Sequence, residues 1–271
     1  MRKHILYKSS FVVAVLFSAA CGTDNSNPPV APVSDTASTL QTSGTDQGFY
    51  DIPSPIQQVQ LLQQAGASYE QELLNPTENI SKYIQTNSKA LNLGVYGADL
   101  SYAAVFNQPQ DVGLYLNSCQ RLATELNIKG DFNKEMMLRL EKSGSNKDSL
   151  LRIVSDVYRK SNASLKENDQ SHISALVVVG SFVEAMYIAT QVAEDVKNKD
   201  AIYSRISDFR GSLNNLVALL TTAYDNDFSN VLPELKSIKE IYDESEGELT
   251  EAQIKKLTKN IKAIRIRITN M

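Results

Sequence analysis

The chain has 271 residues with 27 basic and 31 acidic side chains, for a formal charge of −4. Such a mildly acidic chain suits nucleic acid poorly, because phosphate is held by clustered Lys and Arg. Beyond residue 21 the chain keeps one histidine, His172, and one cysteine, Cys119, too few for the three or four ligands of a His/Cys zinc site. It also carries no glycine-rich phosphate loop, G-x-S-x-G elbow or EF-hand loop. These absences weigh against an enzyme, and no cofactor is expected.

Arg2, Lys3 and Lys8 open the chain, the apolar run Phe11 to Phe17 follows, and Ser18, Ala19 and Ala20 precede Cys21. A basic start, a short apolar stretch and small residues before a cut are the parts of an export signal. As a helix the stretch 11–20 is about 15 Å long against a hydrocarbon core of about 30 Å, too short to span. Phe17-Ser18-Ala19-Ala20-Cys21 resembles the lipobox of bacterial lipoproteins, with Ser18 where leucine is usual. The resemblance implies a signal peptide at 1–20, acylation of Cys21, and a chain exported and held at the periplasmic or outer-membrane face of the cell envelope. An ordinary secretory signal cut near the same place is the competing reading. Each buried CH₂ of an acyl chain contributes about 0.8 kcal/mol, so two or three chains hold firmly where one does not.

Without residues 1–20 the formal charge is −7. Residues 21–49 are then the lipidated Cys and a tether, rich in Ser, Thr, Asn, Asp, Pro and Gly, with too little apolar surface to offset the entropy of ordering. No Lys or Arg lies between Lys8 and Lys82, so the tether has no basic patch for anionic lipid. Asp35-Thr36-Ala37 resembles the short O-glycosylation signal of Bacteroidetes-type secreted proteins. Three residues are a short signal, and plain linker is the favoured reading of Thr36.

Residues 50–271 read as a single helical domain. Ser54-Pro55 is a cap with Pro at the first helical position, leading into Ile56, Val59 and Leu62. Asn75-Pro76 repeats that signal and predicts a helix reaching Phe106; Pro109 opens the next, to near Asn127. Further helices are predicted over 132–142, 147–167, 170–198, 200–224, 229–243 and 250–268. Alternating apolar and polar runs are absent. The expected fold is an all-α, antiparallel bundle of about eight helices joined by short loops.

Cys119 falls in the series Val112, Tyr115, Cys119, Leu122, Leu126, one helix face, and is expected to be a buried apolar thiol. His172 sits at a helix start beside Ser171. Near the C-terminus six acids (Glu240, Asp243, Glu244, Glu246, Glu248, Glu251) precede six bases (Lys255, Lys256, Lys259, Lys262, Arg265, Arg267). They suggest a hairpin whose halves attract one another.

Two segments lack a polar face. Residues 90–106 contain one charge, Asp99, and residues 173–193 contain one, Glu184. A helix apolar all round is normally enclosed by other helices. Each segment has glycine shortly before its acid (Gly94 and Gly97; Gly180) and tyrosine three residues after it (Tyr102; Tyr187), a diverged repeat that places acid and phenol on one face. The glycines would let another backbone approach closely. A buried, unpartnered carboxylate costs several kcal/mol. One reading has both acids accepting from Tyr hydroxyls, helix N-termini or an arginine such as Arg205 or Arg210. A second has Asp99, Glu184, Tyr96, Tyr102 and Tyr187 line a cleft for a polar or cationic ligand, and a third pairs the acids for hydrolysis.

The stretch from Leu91 through Asp99-Leu100-Ser101-Tyr102 to Leu126, with Gly180 to Tyr187, resembles exported all-helical lipoproteins of Bacteroidetes-type bacteria. That implies an all-α fold and an envelope location, and nothing catalytic. Residues 93–123 also resemble a tetratricopeptide unit at Leu93-Gly94, Tyr102 and Ala123, although the 34-residue period does not recur. The favoured expectation is a membrane-anchored, non-catalytic scaffold presenting a surface to a protein partner. A ligand-binding lipoprotein with its site between the two central helices is the alternative.

Overall fold

The computed structural model describes residues 54–128, 134–144, 146–223 and 231–271. The expectations for the leader, Cys21, the tether and Thr36 lie outside these residues. Among the described residues there are α-helices and short 3-10 turns and no strand, the expected all-α class. The α-helices are α1 (Pro55–Gln64), α2 (Thr86–Val105), α3 (Pro109–Glu125), α4 (Lys134–Ser143), α5 (Lys147–Glu167), α6 (Ser171–Asp195), α7 (Lys199–Ala223), α8 (Leu232–Asp243) and α9 (Glu251–Thr269).

Local chemistry sets most of the ends. Ser54 closes a capping box with Gln57 at the start of α1, and Thr250 does so with Gln253 at the start of α9. Each box satisfies two helix-terminal N–H groups. At the other ends, α1, α2, α3 and α5 close with paired backbone bonds, for example Gln108 N to Ala103 O and Asn107 N to Ala104 O. The residue that turns is left-handed in each case: Gly66, Asn107, Asn127 and Asp169. That is the Schellman ending, with Asn and Asp serving where Gly is usual.

The helix expected from Asn75-Pro76 to Phe106 starts instead at Thr86. Residues 65–85 form an irregular strap with 3-10 turns at Gln71–Leu73 and Thr77–Lys82. Asn75 does not cap a helix. It is wholly buried, and its side chain donates to the Tyr83 hydroxyl and accepts from Asn79.

The two apolar helices are the centre of the fold. Residues of α2 from Ala90 to Val105 are buried almost without break, as are those of α6 from Val179 to Thr190. Ser171–Glu194 is long and apolar enough to cross a membrane by composition, yet 78% of the 18-residue apolar window within it is buried inside the protein. Asn87 meets His172, Leu91 meets Gly180, and Gly94 meets Val177 and Ser181. The positions advance together, so α2 and α6 run parallel. Each is followed by a helix that returns along it: Tyr96 touches Tyr115 across α2 and α3, and Phe182 touches Phe209 across α6 and α7. The expected antiparallel pairing therefore holds for these hairpins, while the two central helices, far apart in sequence, lie parallel.

The helix α9 buries Ile254, Leu257, Ile261, Ile264 and Ile268 as one seam. It forms an antiparallel hairpin with α8, bridged by Lys256 to Glu244 and Arg267 to Glu234. Other charges of that region pair within one helix, as Lys239 does with Asp243 and Lys255 with Glu251.

A buried acid pair as the candidate functional site

Asp99 on α2 and Glu184 on α6 are both 0% exposed, and the parallel packing of their helices brings them together. Their cation is Arg265 of α9, whose Nε donates to Glu184 Oε2 and whose Nη2 donates to Oε1, each at 3.1 Å. Nη2 also donates to the Leu73 carbonyl at 3.1 Å. The guanidinium lies over the Tyr187 ring, 4.5 Å from its centroid, and its side chain is 13% exposed. This is a forked ion pair roofed by an aromatic face, the arrangement for which arginine is better shaped than lysine.

The expected arginine was Arg205 or Arg210. Arg205 pairs with Asp208 on its own helix, and Arg210 donates to the carbonyls of Ser245 and Gly247. Both sit on α7, while the acids meet where α9 crosses the central pair.

Asp99 Oδ2 accepts the Asn75 N–H at 3.2 Å. Its Oδ1 is buried with no donor beside it; the group within hydrogen-bonding reach is the Glu184 carboxyl. Burial first, and the neighbouring Glu184 charge second, push Asp99 well above the usual carboxylate range against the pull of Arg265 and the Asn75 N–H. Burial also raises Glu184, opposed by the Arg265 charge and its hydrogen bonds.

The tyrosines singled out with these acids divide by task. Tyr187 is the ring beneath Arg265. Tyr96 donates to the Pro76 carbonyl at 3.0 Å. Tyr102 donates to the Ser68 carbonyl at 2.7 Å and accepts the Glu70 N–H at 3.1 Å, away from the acids. Helical spacing put Tyr115 on the face of Cys119 but gave no sign of its partner: it donates to the Asn75 carbonyl at 3.1 Å. Nor did sequence reasoning find Asp111, which accepts from Tyr69 and Gln71.

A single role unites these contacts. An irregular segment pressed into a fold must find partners for its backbone N–H and C=O groups. Ser68, Glu70, Leu73, Asn75 and Pro76 find them in Tyr102, Arg265, Asp99, Tyr115 and Tyr96. The acid pair is thus one station in a network fastening the strap and α9 onto the central helices.

Among the described residues no group of three or more His, Cys, Asp or Glu is placed to hold a metal. A cleft between α2, α3, α5 and α6, lined by Leu93, Gly97, Leu100, Cys119, Val157 and Leu165 among others, has a volume of about 30 Å³ and includes neither acid. Pockets for drug-sized ligands run to about 300–1,000 Å³. Cys119 is 2% exposed, as its helical spacing predicted, and burial pushes its thiol up. Compared with family models, with curated proteins and with solved structures, the chain matches none.

Proposed function

We propose that the chain is a cell-envelope lipoprotein, anchored through acylated Cys21, whose helical domain is a non-catalytic scaffold for a protein partner. The observation that carries the non-catalytic half is the state of the acid pair. Both carboxyls are dry, and their partners are an internal arginine and an internal backbone amide. A glycosidase pair flanks its substrate in an open cleft, with carboxyls about 5–9.5 Å apart, and a closer pair that shares one proton still needs substrate to reach it; both acids here are closed off from the surface. A cationic ligand would need the place that Arg265 holds.

The anchor rests on Ala19-Ala20-Cys21 behind a short apolar run. What remains for recognition is the surface, where the large exposed apolar side chains among the described residues are Leu61, Ile84, Leu114, Leu138 and Ile266, with Ile84 81% exposed.

The test is metabolic labelling with a palmitate analogue followed by membrane fractionation. The wild type is expected to take the label and sediment with membranes, and Cys21→Ser to lose both properties. Unchanged fractionation of the variant would refute the anchor.

A further inference from the structure

We propose that Asp99 is a neutral carboxylic acid in the native fold, donating its proton through Oδ1 to the Glu184 carboxylate, and that this shared proton latches the strap and α9 onto the central helices. The inference is independent of the membrane anchor. It starts from a hydrogen-bond deficit. Both Glu184 oxygens accept from Arg265, and Asp99 Oδ2 accepts from Asn75 N–H, but the buried Oδ1 of Asp99 has no donor. An ionised carboxyl can only accept, so the two acids cannot bond to each other while both are charged. Two buried negative charges would also face one guanidinium. One proton on Asp99 Oδ1 removes both faults: the orphan oxygen becomes a donor to Glu184, and the cluster becomes neutral.

The proton belongs to Asp99 because Glu184 meets Arg265 as a forked pair, whereas Asp99 is met by a backbone amide alone. The ionisable groups around Asp99 come from every element packed there. They are Tyr83 of the strap, Tyr96 of α2, Tyr115 and Cys119 of α3, Glu184 and Tyr187 of α6, and Arg265 of α9. Burial keeps the phenols and the thiol neutral, which leaves Glu184 and Arg265 as the charges that act on Asp99.

The arrangement is a pH-sensitive latch. Native Asp99 keeps a proton that the unfolded chain releases in the ordinary carboxylate range. Its contribution to stability is therefore full below that range and drains away as pH rises toward the native value. Alkali loosens the latch, and acid does not.

The test joins infrared spectroscopy of the full chain, with and without ¹³C-carboxyl aspartate, to thermal unfolding of Asp99→Asn and Glu184→Gln. At neutral pH the wild type is expected to show the C=O band of a protonated acid, moved by the aspartate label and missing from Asp99→Asn. An asparagine amide copies the neutral acid, with an N–H for Glu184 and an oxygen for Asn75. Asp99→Asn is thus expected to melt at or above the wild-type temperature, its advantage widening from about pH 5 to pH 9. Glu184→Gln is expected to melt lower throughout. A wild type lacking the band, or Asp99→Asn losing as much as Glu184→Gln, overturns the latch. Should Asp99→Asn not fold, the labelled wild-type spectrum decides: a shifted band supports the shared proton and no band sinks it.

Discussion

Gly94 and Gly180 each stand where a side chain would run into the backbone of the other's helix. A Cβ on Gly94 would lie 2.1 Å from the Val177 carbonyl oxygen, and one on Gly180 would lie 1.9 Å from the Leu91 carbonyl oxygen. The obstacles are backbone, which cannot rotate aside. At the same crossing Ser181 Oγ donates to the carbonyls of Gly94 and Val177. The glycines thus set how closely α2 and α6 approach, and that approach brings Asp99 to Glu184.

Gly94→Ala or Gly180→Ala is therefore expected to cost about 3 kcal/mol or more, the upper end of core overpacking. Gly97 is the internal control. A Cβ there meets nothing nearer than Tyr158 Cε2 at 3.8 Å, and replacing a helical Gly by Ala gains about 0.5–1 kcal/mol. Chemical denaturation of the three variants checks the ordering; Gly97→Ala as damaging as the other two would contradict it.

Arg265 is expected to be the most sensitive charge in the chain. Removing one member of a buried ion pair costs about 3–5 kcal/mol, because the partner is left charged and unsolvated. Arg265→Met should lose that amount at neutral pH, together with the ring contact to Tyr187. In Arg265→Met/Glu184→Leu the stranded carboxylate is gone, so the double variant should be less destabilised than the sum of the single changes. Additive losses in a double-mutant cycle would show that the pair is not coupled.

How far these features could be read in advance depended on how local their causes are. Gly94, Gly180, Asp99 and Glu184 stood out because each is an exception within an apolar helix, and a helix's period is written in neighbouring residues. Cys119 and the isoleucine seam of α9 were legible for the same reason. The strap was not. Asn75-Pro76 is a sound helix start by local rules, but Asn75 is held by Asp99, 24 positions on, and by Tyr115, 40 positions on. In the sequence Arg265 is one of six bases that match the six acids before them. Only the path of α9 across the central pair selects it, 81 positions from Glu184.

The strap offers a pair of contrasting substitutions. The Tyr102 hydroxyl serves two backbone groups, Ser68 O and Glu70 N, and Tyr102→Phe leaves both without it. Each unsatisfied buried group costs about 1–3 kcal/mol. Tyr187 acts on Arg265 through its ring, so Tyr187→Phe is expected to change stability by less than about 0.5 kcal/mol. Limited proteolysis should cut Tyr102→Phe within 65–85 sooner than the wild type. Equal protection of the strap in both would show that the hydroxyl does not hold it.

Alkaline titration tests the tyrosine network as a whole. The chain has 12 tyrosines and no tryptophan, so phenolate absorbance and near-ultraviolet dichroism report on these residues. Burial raises Tyr83, Tyr96, Tyr102, Tyr115, Tyr187 and Tyr242 above the ordinary phenol value, and pushes Tyr158 up to about 12. A group raised in the native state favours that state below its unfolded value, near 10 for tyrosine, and the advantage is lost as pH climbs beyond it. These phenols are therefore expected to stay neutral past pH 10 and then to ionise together, in step with loss of near-ultraviolet dichroism. The strap explains the concerted step, because Tyr96, Tyr102 and Tyr115 all hold backbone groups within the short stretch 68–76. Independent ionisation of those three near pH 10, with the dichroism intact, would mean that their hydroxyls reach water and that the strap is not fastened by them.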